Sequence, residues 1–341
     1  MDPLLAGASP HSRGVALIGS GSAQAAQVIS NNQLGLRVET SDEWIQSRTG
    51  ISTRRVSSPD QRLSDLAAEA GRSALTMAGW SAESLDLLLL ATSTPDDLFG
   101  TAPAVQAALG ATNAVAFDLT AACSGFLFSL VTAAQYLRTG SMRRALVIGA
   151  DQLSRFVDWD DRRSCVLFGD GAGAVAIEAS DDDGLLGFLL RSDGSRGGVL
   201  NLPALDSDEV LAADARHRSG GYRPIEMNGQ EVYKFAVREV PTVLQCLLER
   251  CAVGPESIDW LLLHQANQRI LDAVADRFAI PRPKVLSNLA NYGNTSAATI
   301  PLVLDEAVRD GRVRSGHLLA SSGFGAGLSW GAALFRWQGP A

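Results

Sequence analysis

The chain has little cysteine: four residues in 341, Cys123, Cys165, Cys246 and Cys251, with no Cys-x-x-Cys pair. That excludes a disulfide framework and a cysteine zinc site, and it fits a reducing compartment. Long hydrophobic runs are also missing. Stretches such as 87–91 fall far short of the roughly 20 residues a membrane helix needs. An excess of positive charge is missing too, since 29 Lys and Arg face 37 Asp and Glu for a net charge of -8. Nucleic-acid binders concentrate basic residues to displace counterions, so that role is excluded. Residues 1–13 carry an acid at Asp2 and no basic start followed by an apolar stretch, so no secretory signal is expected. Together these absences predict a soluble, cytoplasmic protein with neither nucleic acid nor membrane as a partner.

What is present is enough apolar residue, 46% of the chain, to bury a large core. Short aliphatic runs at 15–18, 87–91, 145–149, 166–168, 175–178, 260–263 and 318–321 read as strands. Segments 63–78 and 232–250 are apolar at three- and four-residue intervals and read as helices covering sheet faces. The alternation predicts α/β layering. An internal repeat sharpens this: Glu83-Ser84-Leu85-Asp86 followed by four leucines returns as Glu256-Ser257-Ile258-Asp259 followed by Trp260 and three leucines, 173 residues on. At nearly the same offset, 117–119 leading to Cys123 matches 287–289 leading to Asn294, and 145–149 matches 318–322. Three matches in order predict duplicated halves, 1–182 and 183–341, with 181–222 as an irregular crossover.

Gly19-Ser20-Gly21 after a short strand, with Glu39 further on, imitates a dinucleotide fingerprint, but the third glycine position holds Gln24. A glycine turn after the first strand is the expected reading. Cys123 stands where a strand runs through small residues into the helical pattern 126–137. At a helix N-terminus the free N–H groups and the dipole are expected to lower its pKa and make it a nucleophile. Cys165, read as lying in a strand, and Cys246 and Cys251, on a helix, read as core filler. His264 ends the strand 260–263 and is followed by polar Gln265 and Asn267, at the edge where α/β sites form. Asn294 precedes a helix at the place the repeat pairs with Cys123. Capping is its alternative use. The glycine loop 323–327 can aim N–H groups at an oxyanion, or be an ordinary turn. The run 168–173 reads as a turn between strands, since no Lys follows it.

These residues together resemble the β-ketoacyl-acyl-carrier-protein synthase III family, initiating condensing enzymes of type II fatty-acid synthesis. The likeness spans 15–336 and is carried by Thr40-Ser41-Asp42-Glu43-Trp44-Ile45, Arg48-Thr49-Gly50-Ile51, the Cys123 turn, His264-Gln265-Ala266-Asn267, the segment 293–298 and the segment 324–330. The resemblance implies a thiolase-like five-layered αβαβα fold, a homodimer, and a Cys123, His264, Asn294 triad. It implies that Cys123 takes an acyl group from a short acyl-CoA. His264 Nε2 and Asn294 then hold the enolate formed when malonyl-acyl carrier protein loses carbon dioxide. No cofactor is implied, acyl-CoA being a substrate. It further implies CoA contacts from Trp44, Arg48, Arg162 and Asn267. Oxyanion donors are implied at the Cys123 and Ala326 backbone, and carrier-protein docking along Gln265, Ala266, Asn267, Gln268 and Arg269, helped by Lys234 and Arg277. Phe99 is implied to limit acyl length from across the dimer. Asp276 replaces a basic residue of the docking patch, and Gln230 replaces an Asn near the CoA channel. A related acyltransferase or condensing enzyme of secondary metabolism shares the triad. A plant-type polyketide synthase is expected to lack the Thr-Ser-Asp-Glu-Trp segment, and a biosynthetic thiolase to carry a second cysteine near Gly325. A non-catalytic scaffold would not need the three polar residues together.

Overall fold

The computed structural model describes residues 13–205, 208–218 and 220–340; residues 1–12, including Asp2, lie outside them. The first half supplies strands β1 (Gly14–Gln24), β2 (Leu87–Ala91), β3 (Val115–Leu119), β4 (Arg144–Gln152) and β5 (Asp170–Ser180). The second supplies β6 (Leu185–Ser192), β7 (Trp260–Leu263), β8 (Val285–Leu286), β9 (Leu318–Gly325) and β10 (Ser329–Arg336). The sheets run β1-β5-β4-β2-β3 and β6-β10-β9-β7-β8. Each strand of one half therefore occupies the place of its counterpart in the other. Directions match as well: β2 is parallel to β3 and β4, as β7 is to β8 and β9, and the other pairs are antiparallel. This is the duplicated fold expected from the repeat.

The helices that layer these sheets are α1 (Asp42–Thr49), α2 (Leu63–Ala78), α3 (Gly125–Arg138), α4 (Gly229–Arg250), α5 (Gln268–Arg277) and α6 (Thr299–Arg309). The strand β2 shows why five layers form. Leu87 and Leu89 join Phe126, Leu130, Ile300 and Val303 in the space between the sheets. Leu88 and Leu90 point the other way, to Leu63, Leu66 and Ala70 of α2. A strand buried on both faces must be apolar throughout, and each fully buried Leu contributes about 1.5–3 kcal/mol. Helices α3 and α6 fill the middle layer, while α2 and α4 cover the outer faces.

Several expectations are corrected. Gly19 and Gly21 lie inside β1, beside a bulge, and form no turn after it. A Cβ on Gly21 would come within 2.2 Å of Ala70 O, so glycine is there to seat α2, and the dinucleotide reading falls away. Residues 166–168 form a turn ending in a single bridge between Phe168 and Asn294, so Cys165 is buried in a turn and lies in no strand. Residues 170–173 belong to β5, paired with β1 and β4, instead of turning between strands. The crossover 181–222 contains a full sheet strand, β6, and an exposed hairpin at Asp208–Ala212 and Ala215–Arg218.

Candidate active site

Two turns, one from each half, are built alike. Ala122–Ser124 forms a 3-10 turn ahead of α3, and Ser296–Ala298 forms one ahead of α6. Ala122 and Ser296 are both left-handed, with φ of 48 and 54, an uncommon conformation for residues with a Cβ. The repeat thus aligns Ala122 with Ser296 and Cys123 with Ala297, and Asn294 sits slightly upstream of the position opposite Cys123. Cys123, His264 and Asn294 are all buried, yet all line one cavity of about 110 Å³. Its other walls are mostly apolar, among them Leu200, Met227, Val232, Tyr233 and Phe324. The first four come from segments distant in sequence and carry no motif, so sequence reasoning missed them.

Each polar group is held by a local bond. Asn294 Oδ1 accepts from Ser296 N at 2.9 Å, which leaves the Asn294 amide N–H groups free of that task. His264 Nδ1 lies 2.6 Å from Thr299 Oγ1, whose single proton is shared with Ser296 O at 3.0 Å. Phe324 packs edge-on against the imidazole at 5.3 Å. Burial pushes the His264 pKa down to about 3, so the ring is neutral at neutral pH. Thr299 and Ser296 were not singled out from the sequence, although Ser296 sits in the Asn294 segment and Thr299 directly follows it; their spacing from Asn294 is the signal that could have found them.

The electrostatics of Cys123 reverse the expectation. Burial, with the Asp151 carboxylate adding to it and the Ser296 hydroxyl opposing, pushes the thiol up to about 12. Loss of water outweighs the helix field, and the resting group is a thiol. Beside it, a Cβ on Gly325 would lie 2.6 Å from Cys123 N, so only glycine lets the end of β9 pass over Cys123. Ala326 follows in a partly buried turn.

The remaining residues divide by location. Arg162 stacks on Trp44 at 5.3 Å and donates to Glu39 O at 2.8 Å. Trp44 and Arg48 are one turn apart on α1. Asn267, on the cavity wall, donates to Arg48 O at 3.0 Å and accepts from Arg269 N at 2.9 Å as the cap of α5. Trp44, Arg48, Arg162 and Asn267 are thus brought to one rim. Ala266 lines the cavity, and Gln268 donates to Asp272. Arg269 is exposed and lies over Tyr233 at 5.2 Å. Gln265 is a correction: it is fully buried, donating to Leu263 O and Leu286 O, and cannot face a partner. Gln230 and Lys234 are exposed on α4, the latter paired with Glu231. Arg277 and Asp276 are exposed on α5, Asp276 paired with Arg282. Phe99 lies away from the cavity and is 99% exposed, next to Leu98. Among the described residues no cluster of three or more His, Cys, Asp or Glu could hold a metal, and no helix is long and apolar enough to cross a membrane.

A duplicated five-layer α/β fold in which a cysteine and an asparagine beside matching turns meet a histidine at the end of a strand defines a condensing enzyme of the thiolase fold, an acyltransferase. Models of the 3-oxoacyl-[acyl-carrier-protein] synthase III family and of its C-terminal part match residues 117–194 and 248–337. The chain is 81% identical to a β-ketoacyl-[acyl-carrier-protein] synthase III of Synechococcus sp. strain WH7803, over 98% of this chain and 100% of that one. It is 73% identical to one of Prochlorococcus marinus strain MIT 9313, over 96% and 97%. Crystal structures of 3-oxoacyl-[acyl-carrier-protein] synthase III from Aquifex aeolicus VF5 (42% identity, TM-score 0.87, covering 95% and 100%) and from Pseudomonas aeruginosa PAO1 (39%, 0.88, 96% and 100%) superpose on it. The chain belongs to the β-ketoacyl-acyl-carrier-protein synthase III family, the initiating condensing enzymes of fatty-acid synthesis.

Proposed function

We propose that the chain condenses a short acyl-CoA, acetyl-CoA first, with malonyl-acyl carrier protein, with Cys123, His264 and Asn294 as the catalytic residues. The observation that carries this is the convergence of those three side chains on one narrow, mostly apolar cavity. Cys123 Sγ attacks the acyl-CoA carbonyl, the bond to the CoA sulfur breaks, and an acyl-enzyme forms. Malonyl thioester then enters the same cavity. Neutral His264 carries its ring proton on Nε2 when the Thr299 hydroxyl turns from Ser296 O, to which it donates at rest, and donates to Nδ1 2.6 Å away. That N–H and the Asn294 amide stabilise the enolate oxygen as carbon dioxide leaves. The enolate carbon attacks the acyl-Cys123 carbonyl, whose oxyanion meets N–H groups of Cys123 and the Ala326 turn, and the Cys123 sulfur departs. The apolar walls exclude water from both thioesters.

The rim formed by Trp44, Arg48 and Arg162 suits a nucleotide, with an aromatic face for a base and guanidinium groups for phosphates, and Asn267 stands where the pantetheine arm passes inward. Docking of an acidic carrier protein falls to exposed Arg269, next to the cavity residues Ala266 and Asn267, with Gln268, Lys234 and Arg277 around it. The halves 1–182 and 183–341 serve as the two structural units. A homodimer is supported by the first sheet, whose edge strand β3 is partly exposed, with exposed Leu98 and Phe99 beside its residues Ala116, Phe117 and Asp118. An apolar sheet edge of this kind is a pairing surface, and it would carry Phe99 to the second subunit. The test is carbon dioxide release and 3-oxoacyl product from malonyl-acyl carrier protein with a series of acyl-CoAs. Acetyl-CoA should prime, and Cys123→Ala should not turn over. Acylation of Cys123 with no condensation for any primer would instead make the chain an acyltransferase of another pathway.

A further inference from the structure

Arg54, in the short strand Thr53–Val56, is fully buried, and the steps above give it no task. Its bonds go to neutral groups. Nη2 donates to Asn31 Oδ1 at 2.7 Å and to Val166 O at 3.1 Å, and Nη1 donates to Ile29 O at 3.2 Å. Nε is buried without a partner. Asn31 is itself held by donating to Asp42 Oδ1 at 2.9 Å and Ile51 O at 2.7 Å, which aims its oxygen at the guanidinium. A buried cation with no carboxylate among these partners is costly, and an apolar side chain would fill the same space at lower cost. Packing alone therefore does not account for an arginine here.

What the guanidinium holds does account for it. Val166 lies in the turn whose next residues clasp Asn294: Asn294 N donates to Leu167 O at 2.8 Å, and Gly169 N donates to Asn294 O at 2.9 Å. The Arg54 stem lies beneath both ends of this clasp, since a Cβ on Gly169 or on Gly293 would stand 3.4 Å from Arg54 Cβ. Just upstream of Asn294 the neighbours of Arg54 take hold again. Ser52 N donates to Ala290 O at 2.9 Å, and Thr53 Oγ1 donates to Asn291 O at 2.8 Å. The two lengths of backbone that fix Asn294 thus rest on residues 52–54. His264 is held elsewhere, by Ser322 O and Thr299, and Cys123 sits in the turn under Gly325.

We propose that Arg54 is a positioning residue for Asn294: its guanidinium anchors Val166 O and, through the clasp at 167–169, sets the place of the amide that receives the enolate oxygen. Burial pulls its pKa down to about 10, which leaves it charged at neutral pH. Arg54 touches neither substrate nor reacting atoms, so its loss should appear in the step that uses Asn294 and spare the acylation of Cys123.

This inference rests on the catalytic reading above, and measuring the half-reactions separately distinguishes the two. Arg54→Met keeps an apolar stem and removes the charge with all three bonds. Arg54→Lys keeps the charge but replaces a planar fork by a single ammonium. Labelled acetyl-CoA should acylate Cys123 in both variants at close to the wild-type rate; its acyl group is small, so a shift of Leu167 and Phe168 in the cavity wall affects it least. The isolated acetyl-enzyme of Arg54→Met should then release carbon dioxide and form product from malonyl-acyl carrier protein on the order of 10²-fold more slowly, the effect of displacing a catalytic group by about 1 Å. Arg54→Lys should fall by a smaller factor, and it decides by the same split should the methionine variant fail to fold. The loss should lie in kcat, with KM for malonyl-acyl carrier protein unchanged, which a general loosening of the fold would not give. Wild-type condensation in a folded variant, or an equal fall in both half-reactions, overturns the assignment. Failure of the wild type to acylate Cys123 overturns the underlying reading instead.

Discussion

A thiol at the head of a helix gains from the helix field and loses from burial, and at Cys123 burial dominates. The consequence is measurable. Alkylation of Cys123 by iodoacetamide, followed by peptide mass spectrometry, should keep accelerating as pH rises past 9, because the thiol is pushed up to about 12 and the thiolate is the reactive form. A plateau between pH 6 and 8 would mean a preformed thiolate. The place of Cys123, in the turn ahead of α3 and on the cavity wall, was legible in the sequence, since a strand there runs through small residues into a helical pattern. Its protonation state was not, because that depends on the wall built by β9 and on Asp151, remote in sequence. Gln265 shows a related limit. One residue beyond His264 the chain turns back on itself, and the amide is spent on the carbonyls of Leu263 and Leu286. Ser296 was hidden for a different reason: its left-handed backbone is a property of the folded turn.

Elements were most legible where both a period and a repeat spoke. The strands β2 and β7 came with the same acid-led approach sequence, and their places in the two sheets are equivalent. Short runs without that support misled, as with 166–168, where three apolar residues belong to a buried turn. The run 168–173 misled in the other direction, because glycines that look like a turn serve as a strand lying close under a helix. The same close approach governs β4, where a Cβ on Gly149 would come within 2.2 Å of Ala297 O. Gly149→Ala should therefore push the Asn294 turn away from the sheet. It should cost about 1–3 kcal/mol in urea unfolding, the usual penalty of overpacking, and lower condensation as well. Unaltered stability would show that the Ser296–Ala298 turn is not wedged against β4 as described.

At the scale of the whole molecule, the matched halves place one reactive turn from each on either side of a single cavity, so the site exists only when both halves fold together. In the proposed homodimer the exposed Leu98 and Phe99 would face a second copy. Phe99→Asp should shift the sedimentation of the chain from dimer toward monomer, since burying an aromatic side chain is what it would forfeit; an unshifted dimer would place the interface elsewhere. The claim on which everything else depends is that Cys123 carries the acyl group. The direct measurement is intact-protein and peptide mass spectrometry after mixing with acetyl-CoA alone. A single acetyl group on the Cys123 peptide, lost in Cys123→Ala and discharged by malonyl-acyl carrier protein, is the predicted result. An unmodified Cys123 in a protein that still forms product, or an acetyl group on another residue, would contradict the account.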